Sequence, residues 1–145
     1  MISCFQVADY FLAQQDTESG DTISNLKLQK LVYYAQGFHL AIFDAPLFNE
    51  PIAAWTHGPV IPELYQKFKI YGSGAIPCSA DIDLTRFDEE TKAFLDEIYS
   101  VFNQYSGWTL RNMTHEELPW KEREADAGVI SLESMKSYFK TRINS

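Results

Sequence analysis

Leu26-Lys27-Leu28-Gln29-Lys30-Leu31-Val32-Tyr33-Tyr34-Ala35-Gln36-Gly37 is the stretch whose reading decides the fold. Leu28, Leu31, Ala35, Phe38 and Ile42 recur at helical spacing, with Val32 and Leu40 broadening the stripe. Ser24 stands where an N-cap belongs, so the spacing predicts a helix from about Asn25 to Ile42. Gly37 costs such a helix about 1 kcal/mol relative to Ala, which points to close approach of another element there. The apolar stripe leaves Lys27, Lys30 and Tyr34 on one adjoining face. A surface helix carries such a face for solubility alone; a Tyr between two Lys is also a candidate contact patch for a partner.

Outward from this helix, Ser3 and Gln6 form a capping box ahead of Phe5, Ala8 and Leu12, which predicts a first helix. Asp16 to Thr22 reads as a polar linker. Beyond Pro46 and Pro51, Ile52 to Thr56 reads as a short strand or extended edge, and Gly58-Pro59 as a turn. Pro62 suits the first turn of a helix carrying Leu64, Tyr65, Phe68 and Tyr71, which stops at Gly72. Ser73 to Leu84 has no clear period and reads as a loop. Asp88 caps a strongly amphipathic helix with Phe94, Leu95, Ile98, Val101, Phe102 and Tyr105 inward, ended by Gly107. Trp108 to Thr114 predicts a short helix, and Ser131 caps a last one with Met135, Tyr138 and Phe139 inward. The expectation is one compact, mostly α domain over residues 1–145, of about five to six helices, with a short β element around 52–56.

Charge and composition exclude more than they identify. Twelve Lys plus Arg against twenty Asp plus Glu give a net charge of −8, with no basic stripe to meet a phosphate backbone. Only Cys4 and Cys78 are available for redox chemistry, no basic-then-apolar leader opens the chain, and no apolar run reaches the ~18 residues of a membrane span. These features lead to the expectation of a cytoplasmic protein. Aromatic residues make up 14% of the chain, which suits a ring-rich core and a binding surface alike.

Candidate chemistry is thin. His115-Glu116 begins like a zincin helix, but Pro119 stands where the second His is required. His39, His57 and His115 have no local ligand spacing, so satisfied structural histidines account for them better than a metal, and no cofactor is expected. A Cys–His nucleophilic pair of Cys4 with His57 or His115 arises on paper in almost any chain of this composition. Gly72-Ser73-Gly74 lacks the Lys and helix of a phosphate loop, and the acid pairs Glu89-Glu90 and Glu116-Glu117 read as a cap and a solvated turn.

Four stretches taken together resemble the SocA-like, or Panacea, antitoxin family, which includes phage-associated GepA-like proteins. They are Lys27 through Gly37; Ala54-Trp55-Thr56-His57-Gly58-Pro59-Val60-Ile61-Pro62 with Leu64-Tyr65; Thr114-His115-Glu116 with Pro119-Trp120; and Ile130-Ser131 with Tyr138-Phe139. The resemblance implies a non-enzymatic protein of bacterial or prophage origin that neutralises a cognate toxin by direct contact. It also admits an adaptor that hands a bound partner to a AAA+ protease, or a phage protein that binds a host factor. A homo-oligomer is left open, and no membrane or nucleic-acid partner is implied for a chain with no room for a DNA-binding segment. Lys27, Lys30, Tyr34, Trp55 and His57 are the expected partner-binding residues. Leu28, Gln29, Tyr33, Gln36, Gly37, Gly58, Pro59, Tyr65, Thr114, His115, Pro119 and Trp120 carry the resemblance and also suit a structural role.

Overall fold

The computed structural model describes residues 1–78 and 82–143, with the backbone alone at Thr17. Seven α-helices appear among the described residues: α1 (Cys4–Leu12), α2 (Asn25–Phe43), α3 (Pro62–Phe68), α4 (Glu89–Phe102), α5 (Gly107–Thr114), α6 (Leu118–Lys121) and α7 (Leu132–Lys140). Two strands, β1 (Ala53–Trp55) and β2 (Gly58–Val60), form a small antiparallel hairpin. The mostly α expectation holds, and the helix count exceeds it by the single turn of α6, which the Pro119 break concealed. No helix among the described residues is long and apolar enough to cross a membrane.

Local chemistry sets most of these boundaries. The Ser3–Gln6 capping box closes both ways, and Ser24, Asp88, Ser106 and Ser131 each accept a backbone N–H at a helix start. Gly107 therefore opens α5 rather than closing α4, which already ends at Phe102; the Ser106 cap decides this. Asp44 closes α2 in the left-handed conformation. Within the loop expected over 73–84, residues 79–81 lie outside the described residues, and Leu84–Arg86 form a 3-10 turn.

The hairpin differs from expectation in one respect. Its two-residue turn is Thr56-His57, and Gly58-Pro59 belong to the strand, in register Ala53↔Val60, Ala54↔Pro59 and Trp55↔Gly58. Proline is tolerated because Ala54, its opposite number, turns its own N–H away to Gly128 O (2.9 Å), so the ladder asks no N–H of Pro59. The outer edge of β1 is covered by the 128–130 segment, where Ile130 N donates to Ile52 O at 2.7 Å.

Helix α2 is the axis of the molecule. α1, α3, α4, α5, α7 and β2 all pack against it. Every residue from Lys27 to Gly37 is buried, polar ones included. This corrects the expectation of an exposed Lys27–Lys30–Tyr34 face. A helix enclosed on all sides has no polar face to give to water, so its polar side chains must find partners inside. Only toward its end does α2 emerge, leaving Ile42, expected inward, half exposed; Val101 on α4 is likewise exposed. Gly37 meets its expected close neighbour: a Cβ there would fall inside the Phe139 ring of α7.

Candidate functional site

The polar residues of α2 act as a ladder of internal clamps. Gln29 accepts from Ile61 N at 2.9 Å and donates to Asn25 Oδ1, fixing the junction of β2 and α3. Gln36, two helical turns on, accepts from Leu47 N (2.7 Å) and donates to Phe48 O (2.8 Å), holding the chain after α2. Lys27 Nζ donates to Asn103 O at 2.8 Å and so caps the C-terminal end of α4, where a cation complements the helix dipole. Burial lowers its pKa, and Asp21 partly opposes the shift.

Tyr33 and Tyr34 converge on one carboxylate. Tyr34 Oη donates to Glu117 Oε2 at 2.6 Å and Tyr33 Oη to Oε1 at 3.3 Å, while Arg142 Nη1 reaches Oε2 at 3.3 Å. Glu117 is only 3% exposed, which corrects its reading as part of a solvated turn. Burial raises its carboxyl pKa, and the bonds from Tyr34 and Arg142 pull it back. The signal that could have found it was Glu117 lying directly before Leu118-Pro119-Trp120, where a helix start needs an anchored chain.

The hairpin and the segment after α5 join through the other motif residues. Trp120 Nε1 donates to Trp55 O at 2.8 Å, and the His115 ring stacks on the Trp120 indole at 4.0 Å and 7°. Desolvation holds His115 below the usual histidine range. Thr114 is buried and returns its hydroxyl to Arg111 O, and Pro119, also buried, begins α6. Gly58 has φ +105°, and a side chain there would strike Lys30 Cε and Thr114 Oγ1. The sequence PVIP therefore follows a position where any side chain would be strained.

Beneath the hairpin turn opens a cavity of about 770 Å³, within the range of ligand sites. Trp55, Tyr65 and Trp108 supply its aromatic surface; Lys69 and the buried Lys30 are its lysines, and the His57 imidazole also lines it. Trp55 and Tyr65 meet edge to face at 5.1 Å. Trp108 is 56% exposed and carries the Arg111 guanidinium 4.4 Å over its ring, while Arg111 Nε donates to His57 Nδ1 at 3.2 Å. Lys30 is fully buried, and its Nζ donates to Pro59 O at 3.2 Å. Burial, helped by the nearby Arg111 charge, lowers its pKa to about 7.

Of the five expected partner-binding residues, Lys30, Trp55 and His57 therefore meet at this cavity, whereas Lys27 and Tyr34 are internal and point elsewhere. Trp108 and Arg111 were missed, because a lone Trp at the start of a short helix carries no spacing signal. Cys4 is buried, its backbone N–H bonded to Glu50 Oε1, and burial pushes its thiol up to about 12, opposite to what a nucleophile needs. Among the described residues, no group of three His, Cys, Asp or Glu is arranged to hold a metal ion.

The hairpin, the Thr114–Trp120 segment and most of the clamped helix fall within the span of a known kind of domain. Residues 28–121 match the family described as "Antitoxin SocA-like, Panacea domain", and the chain belongs to this family. Antitoxin SocA of Caulobacter vibrioides (strain NA1000 / CB15N) is 48% identical over 50 residues. That alignment covers 34% of this chain and 27% of the relative, so the chain spans about a quarter of that protein's length. No solved structure matches the chain.

Proposed function

We propose that this protein is an antitoxin that neutralises a cognate toxin in the bacterial cytoplasm by direct protein–protein contact, without catalysis. The family match over residues 28–121 carries the reading, because it takes in the central helix, the hairpin and the Thr114–Trp120 segment together. The internal polar residues of α2 are occupied by the fold, and the exposed aromatic and basic surface around Trp55, His57 and Trp108 supports that region as the contact face. Exposed Trp beside Arg is the residue chemistry that dominates binding energy at protein interfaces.

Co-expression with the product of the adjacent gene tests the proposal. Relief of that product's toxicity, with the pair co-purifying, is the expected result; a toxic neighbour left unrelieved and unbound would overturn it. The toxin's cellular half-life separates two modes of action. An unchanged half-life supports masking, and a shortened one supports delivery to a AAA+ protease.

A further inference from the structure

We propose that the cavity beneath the Thr56-His57 turn receives an acidic segment of the partner, a carboxylate side chain next to an aromatic or aliphatic one. This inference rests on the antitoxin reading and names the chemistry of the toxin element that docks. Three observations carry it.

The first is charge. The chain has a net charge of −8, yet among the described residues lining the cavity none is acidic, while Lys69 brings an exposed cation and the Arg111 guanidinium stands over the ring of Trp108, which lines it. A basic cleft in an otherwise acidic molecule selects a local carboxylate, while a net charge of −8 disfavours an extended phosphate backbone. The beginnings of α2, at Ser24 and Asn25, and of α5, at Gly107 and Trp108, also border the cavity and add their positive dipole ends.

The second is Lys30. It borders the cavity but is fully buried, with its Nζ held by the Pro59 carbonyl, so it adds positive potential from behind the wall rather than a donor within a partner's reach. Burial disfavours its charge, and a carboxylate brought into the cavity would offset part of that penalty through its field. The third is the apolar lining. Trp55, Tyr65, Val60 and Leu26 give the cavity a surface for a ring or aliphatic body, and Trp108 is exposed at its edge. A purely charged ligand would leave this surface wet.

Three capped dipeptides test the idea on the full chain: acetyl-Asp-Phe-amide, acetyl-Asn-Phe-amide and acetyl-Lys-Phe-amide. The readout is the indole N–H resonances of Trp55 and Trp108, with Trp120, whose N–H is held by Trp55 O, as the reporter of an intact fold. The Asp peptide is expected to shift the first two saturably, at least tenfold more tightly than the Asn peptide, with the Lys peptide weakest. Lys69→Glu, at an exposed position, is expected to weaken the Asp peptide at least tenfold and leave the Asn peptide unchanged. Lys30→Met, if it folds, should weaken the Asp peptide by less, because Lys30 lies behind the cavity wall, and Lys69→Glu decides without it.

Equal affinity for the Asp and Asn peptides, or no saturable shift with any of them, overturns the inference. So does a toxin complex that forms normally with Lys69→Glu and resists competition by the Asp peptide; in that case the antitoxin reading stands and the docking chemistry does not. If the toxin fails to bind the wild-type chain while the Asp peptide is still preferred, the antitoxin reading falls and the cavity remains a site for acidic segments.

Discussion

The Tyr34 hydroxyl donates to Glu117 Oε2 at 2.6 Å, joining residues 83 apart in the chain. The bond ties the middle of the central helix to the start of α6, and with it the Trp120–Trp55 link that holds the hairpin over the cavity. Removing the carboxylate leaves two buried phenol hydroxyls without their acceptor, at about 1–3 kcal/mol each for an unsatisfied group. Glu117→Ala should therefore lower the urea unfolding free energy by roughly 2–4 kcal/mol. Glu117→Gln should cost less, since its amide oxygen still accepts from Tyr34. In the Ala background Tyr34→Phe should recover part of the loss, a coupling that a double-mutant cycle reads directly.

Gly37 stands against the Phe139 ring with no room for a methyl group. Gly37→Ala is expected to destabilise by about 1–3 kcal/mol despite the better helix propensity of Ala. Adding Phe139→Leu to Gly37→Ala should cost less than the two single losses summed. A strictly additive double variant in thermal melts would show that the contact is not the cause.

Gln29 and Gln36 sit two turns apart on α2 and hold different segments. Replacing either with Leu leaves a buried backbone N–H, of Ile61 or of Leu47, without its acceptor, at about 1–3 kcal/mol each. Because they share no partner, the two losses should add to within about 0.5 kcal/mol in denaturant titrations.

Lys30 gives a pH dependence of definite sign. Its pKa is about 7 in the fold against the ordinary lysine value of 10.5, so between those values the unfolded chain binds more protons than the native one. Stability attributable to this residue therefore rises with pH across that window, by at most about 1.4 kcal/mol per unit. Lys30→Met removes the titration. Its stability advantage over wild type should be largest near pH 7 and shrink toward pH 9, and an advantage constant with pH would show that Lys30 is not held neutral by burial.

How far the sequence could be read is decided by what kind of signal each residue carries. Caps are local chemistry, so Ser3, Ser24, Asp88 and Ser131 placed four helix starts correctly. The need for space at Gly37 was legible for the same reason. Burial is not local. Lys27, Lys30 and Tyr34 have the spacing of a polar surface face, and only the enclosure of α2 by five helices and a strand turns them into internal partners of Asn103, Pro59 and Glu117. Glu117 was hidden likewise, because two acids in a row look solvated until Tyr33, Tyr34 and Arg142 close on one of them. The cavity was legible in half: Trp55 and His57 stood out beside Gly58-Pro59, whereas Trp108 and Arg111 arrive from a separate helix.

Direct titration of the purified chain with the product of its adjacent gene, by calorimetry, is the measurement that bears most closely on the central claim. The account predicts saturable one-to-one binding by the wild type. It also predicts at least tenfold weaker binding by Trp108→Ala and His57→Ala, both at exposed positions and both with unchanged melting temperature. Absence of binding by the wild type, or full affinity in both variants, would contradict it.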